Sequence, residues 1–230
     1  MSESYYRDRL YPLQDKVLYC IDKINTPFYL TGGTALSRCY LDHRYSDDLD
    51  FFQNSSNSFT DDAIRIIEEL EKQFLVQPGI KDDSFYRIFV KEFKGDTELK
   101  IEFINDVYFH KGALTAHPLF SKIDSWENIL SNKITALSRN APKDIVDIVF
   151  LSLKFPFSWE EIVADARRKD AWVNEIVVSK IIYDFNVSQL SEVQWIKKEF
   201  LDFDFSDTLK IIARELLHGF DNSLKGKIKV

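Results

Sequence analysis

Asp48 and Asp50 stand two residues apart in the run "SDDLDFF", Ser46 to Phe52, with apolar residues on both sides of the second acid. In a strand, side chains return to the same face every two residues, at ~3.3 Å of rise per residue. The two aspartates would share a face, their carboxylates roughly 6–7 Å apart, while Leu49 and Phe51 point into a core. Asp47 would fall with Leu49 or in the preceding loop, and stands outside the candidate site. Two ionised carboxylates at that spacing repel by roughly 2–3 kcal/mol at an effective dielectric of ~20, a cost that a cation between them removes. Oxygen-only ligands suit Mg²⁺ or Mn²⁺ better than zinc. The run "ELKIEFI" alternates in the same way and puts Glu98, Lys100 and Glu102 on one face. Glu102, the acid most deeply set in apolar sequence, is the candidate third ligand. Taken alone, paired acids usually mean a solvated edge or a helix start.

The upstream "YLTGGTALSRCYL" changes that balance. An apolar run, two glycines and a helix-like segment make a turn whose backbone N–H groups are little obstructed, and such turns bind phosphate oxygens. Gly32 and Gly33 would cradle a phosphate, with Thr34 adding a hydroxyl donor. The run is neither a Walker A loop nor a dinucleotide fingerprint, and a lone Gly-Gly can be an ordinary tight turn. A phosphate cradle followed by a two-carboxylate strand suits a nucleoside triphosphate with its divalent ions.

These residues need a frame to hold them. "PFYL" (Pro27 to Leu30) and "LDFF" (Leu49 to Phe52) read as strands, with the glycines breaking the first and "TALSRCYL" a short helix. "TDDAIRIIEELEKQF" reads as an amphipathic helix capped by Thr60, with Ile64, Ile67, Leu70 and Phe74 at helical spacing. "FYRIFVKEF" and "ELKIEFI" read as neighbouring strands around the turn "KGDT". Beyond Leu119 the periodicity turns helical. "SWENILSNKITALSR" has a Ser125 cap, "PKDIVDIVFLSL" starts on Pro142, and "SWEEIVADARR" carries a Ser158–Glu161 capping box. "AWVNEIVVSKIIYDF", "LSEVQWIKKEFL" and "SDTLKIIARELLHGF" also read as helices. The expected fold class is α/β: a small mixed-sheet domain over residues 1–120 followed by an all-helical domain over 121–230.

Bulk properties limit the function classes. Of 230 residues, 45% are apolar, including 19 Phe, enough for a sizeable core and against disorder. The net charge of −7 argues against a broad nonspecific nucleic-acid footprint. Two cysteines, Cys20 and Cys39, without a CxxC pattern suit a reducing cytoplasm. The polar opening "MSESYYRDRL" lacks the apolar stretch of a signal peptide, and no apolar run nears the ~20 residues of a membrane span. A cytoplasmic protein with no membrane partner is expected. His110, His117 and His218 lack metal-ligand spacing, and Lys225, Lys227 and Lys229 read as a solvated tail.

"LTGGTALSRCYLDHRYSDDLDFF" resembles the signature of the AbiEii/AbiGii toxin family, nucleotidyltransferase-like proteins within the DNA polymerase β-like nucleotidyltransferase superfamily. "NKITALSRNAPKDIVDIVFL" resembles the family's helical segment, and the two matches, in the family's order, span Leu30 to Leu151. The resemblance implies that Gly32, Gly33 and Thr34 hold a triphosphate and that Asp48 and Asp50 bind Mg²⁺ or Mn²⁺. Glu102 stands where relatives carry a third carboxylate, often Asp. Lys133 would reach a phosphate and Asp147 would close the site, while His43 and Arg44 fall on a family His-Arg pair, with Arg44 suited to fixing the loop. The residues themselves bear on part of this. Lys133 lies at the margin of the stripe Ile129, Leu130, Ile134 and Leu137, where it could reach a cleft or simply be solvated. Asp144 suits a dipole-capping acid; Asp147, among Ile145, Val146, Ile148 and Val149, is harder to explain as surface.

The implied activity is Mg²⁺-dependent transfer of a nucleoside monophosphate from an NTP to a hydroxyl, with Asp48, Asp50, Glu102 and Lys133 catalytic. The resemblance suggests an RNA acceptor such as tRNA, a toxin role in an abortive-infection or toxin–antitoxin pair, and a cognate antitoxin. The alternatives are transfer to a small molecule such as an aminoglycoside, transfer to a protein, or nucleotide binding without turnover.

Overall fold

A computed structural model describes residues 2–227; Lys229 of the basic tail lies outside the described residues. The chain divides into two compact units. The first comprises the residues up to Cys39 together with Tyr45–Ser125; the second comprises Tyr40–Arg44 and the chain from Trp126 onward.

The first unit opens with α1 (Glu3–Tyr5) and α2 (Tyr11–Asp22), then β1 (Tyr29–Thr31), α3 (Gly32–Ala35), β2 (Asp48–Asn54), α4 (Phe59–Glu71), β3 (Leu75–Asp82), β4 (Phe85–Lys91), β5 (Leu99–Asp106), β6 (Thr115–His117) and β7 (Phe120–Ile123). The sheet is mixed, in the order β3-β4-β5-β2-β1-β7-β6. β2 and β5 run parallel at its centre, and β1 pairs antiparallel with β2. Alternation decides which face is buried. Leu49, Phe51, Ile101 and Phe103 lie fully buried. Phe51 stacks on Phe103 and meets Phe120, while Phe28 meets both Phe103 and Phe59 of α4. Burying each such ring contributes about 1.5–3 kcal/mol. A one-residue slip of β2 would turn the aspartates into that aromatic layer, so the core itself fixes which way they point.

The second unit carries α5 (Trp126–Ala136), α6 (Pro142–Lys154), α7 (Trp159–Lys169), α8 (Glu175–Tyr183) and α9 (Phe205–His218). Pro142 opens α6 as expected; Asn140 ends the preceding turn in the left-handed region, at φ 50°. Ile145, Val146, Ile148, Val149, Phe150 and Leu151 are all buried, so α6 is the unit's central helix. Among the described residues, no helix is long and apolar enough to cross a membrane.

Several expectations are corrected. The glycines end β1 as expected, but they also form the first turn of α3, which starts at Gly32 and not at Thr34. α4 begins at Phe59, not after a Thr60 cap, and Ser58 Oγ donates to Asp62 (2.7 Å) instead of capping the backbone. Ser158 precedes α7 but makes no side-chain cap; Ser158 bridges Asp221, and Trp159 N–H donates to the Phe220 carbonyl. "LSEVQWIKKEFL" is no α-helix: it forms short 3₁₀ turns, Val187–Glu192 and Lys198–Asp202. Trp195 between them pairs with Arg44 and packs against Phe200 and Phe205.

Candidate active site

Asp48 and Asp50 begin β2, and the parallel register sets Asp48 opposite Lys100 and Asp50 opposite Glu102 on β5. Because Leu49, Phe51, Ile101 and Phe103 take the buried face, these four polar side chains share the other. Arg87 of β4, opposite Glu102, joins them. Asp47 stays outside this face, its Oδ1 accepting from the Tyr6 hydroxyl at 2.7 Å.

The glycine turn comes directly against the acidic strand. Thr31 pairs with Asp50, and Gly32 follows with φ +67°, a conformation open to glycine and strained for other residues. A Cβ at Gly32 would lie 2.3 Å from Asp50 Oδ2. Only a residue without a side chain lets the carboxylate approach the helix start this closely. The first N–H groups of a helix have no partner within it, so α3 opens beside the acid pair with donors suited to an anion. Thr34 plays a different part from the one expected. Its hydroxyl donates to the Asp48 carbonyl (2.5 Å), so its one O–H proton pins β2 to α3 and is not offered to phosphate.

Glu102 is likewise engaged. Arg87 approaches its Oε1 through Nε at 2.7 Å and Nη2 at 2.6 Å, and Lys100 Nζ lies 3.1 Å from the same oxygen. Lys100 Nζ is also 2.9 Å from Asp48 Oδ2. The expected trio Asp48, Asp50 and Glu102 is therefore not assembled as converging ligands. Among the described residues, no three His, Cys, Asp or Glu side chains gather closely enough to hold a metal ion. The Asp48–Asp50 pair still fits a hard divalent cation: the donors are carboxylate oxygens on one face, beside a cradle that a Cβ would fill.

Lys133 and Asp147 meet each other in the second unit. Lys133 Nζ lies 2.7 Å from Asp147 Oδ2 and 2.8 Å from Asp144 Oδ1. Arg44 donates to both Asp147 oxygens, each at 2.7 Å, and His43 Nε2 lies 2.8 Å from Oδ1. Lys133 does not reach outward from the margin of its helix: it is 7% exposed, drawn in by two acids one turn apart on α6. Asp144 is fully buried and also takes Arg139 at 2.8 Å, more than a dipole cap requires.

Burial lowers the His43 pKa below its ordinary 6.5, although Asp147 pulls the other way. A neutral ring facing a carboxylate carries its proton on Nε2, which leaves Nδ1 a buried lone pair; among the described residues it has no hydrogen-bond partner. Burial tends to raise the Asp147 pKa, but Arg44 and Lys133 outweigh it and hold the carboxyl well below 3.8. For Lys133, burial is outweighed by Asp147 and Asp144, and its pKa is raised.

The pH dependence follows. His43 and Asp147 both titrate lower folded than unfolded, so the unfolded chain takes up protons that the native state refuses. Stability should be level above about pH 6.5, decline as unfolded His43 charges, and fall more steeply below about pH 4 as Asp147 of the unfolded chain also takes up a proton. Thermal melts from pH 8 to 3 check this. His43→Gln should flatten the first decline and keep the second; a melting temperature constant from pH 7 to 4 would contradict it.

A mixed sheet carrying paired aspartates against a Gly-Gly helix start is the framework of a nucleotidyltransferase. The chain belongs to the family described as nucleotidyl transferase AbiEii toxin, type IV toxin–antitoxin system, which it matches over residues 16–222. It is thus a nucleotidyltransferase of a toxin–antitoxin family. Two solved structures share its fold. One, from H. pylori and provisionally described as a nucleotidyltransferase, has 19% identity and a TM-score of 0.58, covering 95% of this chain and 96% of that one. The other, JHP933 from Helicobacter pylori, has 20% identity and a TM-score of 0.56, covering 95% and 94%. No curated protein matches the chain.

Sequence reasoning gave no partners to Lys100, Arg87, His43 or Arg44. The signal for Lys100 and Arg87 was present, since alternation puts both on the polar faces of their strands. Nothing in the spacing pairs Arg44 with an acid 103 residues away.

Proposed function

We propose that this chain transfers a nucleoside monophosphate from an NTP to a hydroxyl of an RNA acceptor, tRNA being the favoured class, in a Mg²⁺- or Mn²⁺-dependent reaction. It would act as the cytoplasmic toxin of a pair with a cognate antitoxin. The observation that carries this reading is the close approach of Asp50 Oδ2 to Gly32. A carboxylate against the start of a helix supports reading the pair as a divalent-ion site facing bound phosphate.

Asp48 and Asp50 would hold the divalent ion, which when bound neutralises phosphate charge and favours ionisation of the acceptor hydroxyl. The N–H groups at Gly32 and Gly33 would orient the triphosphate, and the Thr34 hydroxyl keeps β2 registered against that turn. The acceptor oxygen bonds to the α-phosphorus, the bond from the α-phosphorus to the oxygen bridging it to the β-phosphorus breaks, pyrophosphate leaves with that oxygen, and the hydroxyl proton passes to water. Glu102 is assigned to holding Lys100 in place instead of ligating the ion. A role for Lys133 and Asp147 toward nucleotide rests on family resemblance, and a raised KM for NTP in Lys133→Met would support it.

The test supplies each α-labelled NTP with Mg²⁺ and, in turn, tRNA, bulk RNA, an aminoglycoside and protein. Label should enter RNA with release of pyrophosphate. Label entering only the aminoglycoside or protein would overturn the RNA assignment, and binding without pyrophosphate release would overturn turnover itself.

A further inference from the structure

Building on the metal-site reading above, we infer that Lys100 is a built-in cation of the acidic face. Its ammonium fills the place between Asp48 and Glu102 that a second divalent ion would bridge, so the site takes one divalent ion where three open carboxylates would take two.

The register produces this arrangement. Lys100 lies opposite Asp48, two residues before Glu102 on the same strand, and its Nζ reaches Asp48 Oδ2 at 2.9 Å and Glu102 Oε1 at 3.1 Å. An ammonium has three donors and no acceptor, so two carboxylates are its natural partners. This differs from a loose surface pair: the Asp48 and Glu102 side chains are each only 13% exposed. Arg87 grips Glu102 through two nitrogens, which keeps that carboxylate turned toward Lys100.

Charge points the same way. Lys100 and Arg87 already bring two positive charges to Asp48 and Glu102. A divalent ion bridging those two carboxylates would have to approach an ammonium within a few ångströms, where like charges repel strongly even at a protein surface.

The experiment titrates the whole protein with Mn²⁺ alone and counts bound ions from the loss of the free-ion electron paramagnetic resonance signal. Wild type should bind one ion, Lys100→Met two, and Lys100→Arg one. Glu102→Gln should still bind one, with affinity changed less than about threefold, because Glu102 is not its ligand; this variant stands in if Lys100→Met fails to fold. Two ions in wild type, one in folded Lys100→Met, or loss of the ion in Glu102→Gln would each overturn the inference while leaving the Asp48–Asp50 site standing. Wild type that binds no ion would overturn that site, and the inference with it.

Discussion

Asp50→Asn is expected to lower nucleotidyl transfer roughly a thousandfold or more while leaving the fold in place. A bound ion supplies several kcal/mol of charge stabilisation to a phosphoryl transition state, and each 1.4 kcal/mol is about tenfold in rate. The substitution keeps size and shape but removes the charge that faces Gly32. Asp50 contributes little to the core, which Leu49 and Phe51 build from the other face of β2. Circular dichroism and melting temperature should therefore match the parent, separating loss of chemistry from loss of structure. Labelled NTP with Mg²⁺ reads the rate directly; transfer within tenfold of the parent would remove Asp50 from the reaction.

The second large effect concerns stability. Asp147→Asn should destabilise the protein by about 3–5 kcal/mol, the usual result of taking one partner from a buried ion pair. Asp147 is fully buried and receives Arg44, Lys133 and His43 together. With an amide there, the buried Arg44 guanidinium loses the charge of Asp147, and Lys133 keeps Asp144. At roughly 2–4 °C per kcal/mol for a chain of this size, the melting temperature should drop by roughly 6–20 °C. Asp207→Asn, on the exposed surface of α9, makes the contrast: its pair with Lys210 is solvated, and its loss should shift melting little. Equal effects of the two substitutions would deny the buried network its role.

Elements with clean periodicity were legible in advance. β4 alternates throughout, β2 over Leu49–Asn54 and β5 over Leu99–Ile104, and that alternation placed Asp48, Asp50 and Glu102 on one face. β3 was hidden because it is a sheet-edge strand, largely exposed and interrupted at Pro78 and Gly79; it shows neither alternation nor continuity. β6 and β7 are too short for a pattern. In the second unit, local periodicity named the helices but failed at "LSEVQWIKKEFL", where the packing of Trp195 overrides it. The candidate site divides in the same way. Spacing along one chain gave the acids and the glycines. Their cations sit on neighbouring strands or far along the chain, and only tertiary register brings Arg87 to Glu102 or Arg44 to Asp147.

The most direct measurement is anomalous scattering from crystals soaked with Mn²⁺ and a nonhydrolysable NTP analogue. The account predicts a manganese peak within bonding distance of Asp48 and Asp50 oxygens, with the analogue's phosphates against the Gly32–Gly33 backbone. Manganese bound elsewhere, or phosphates away from that turn, would contradict it.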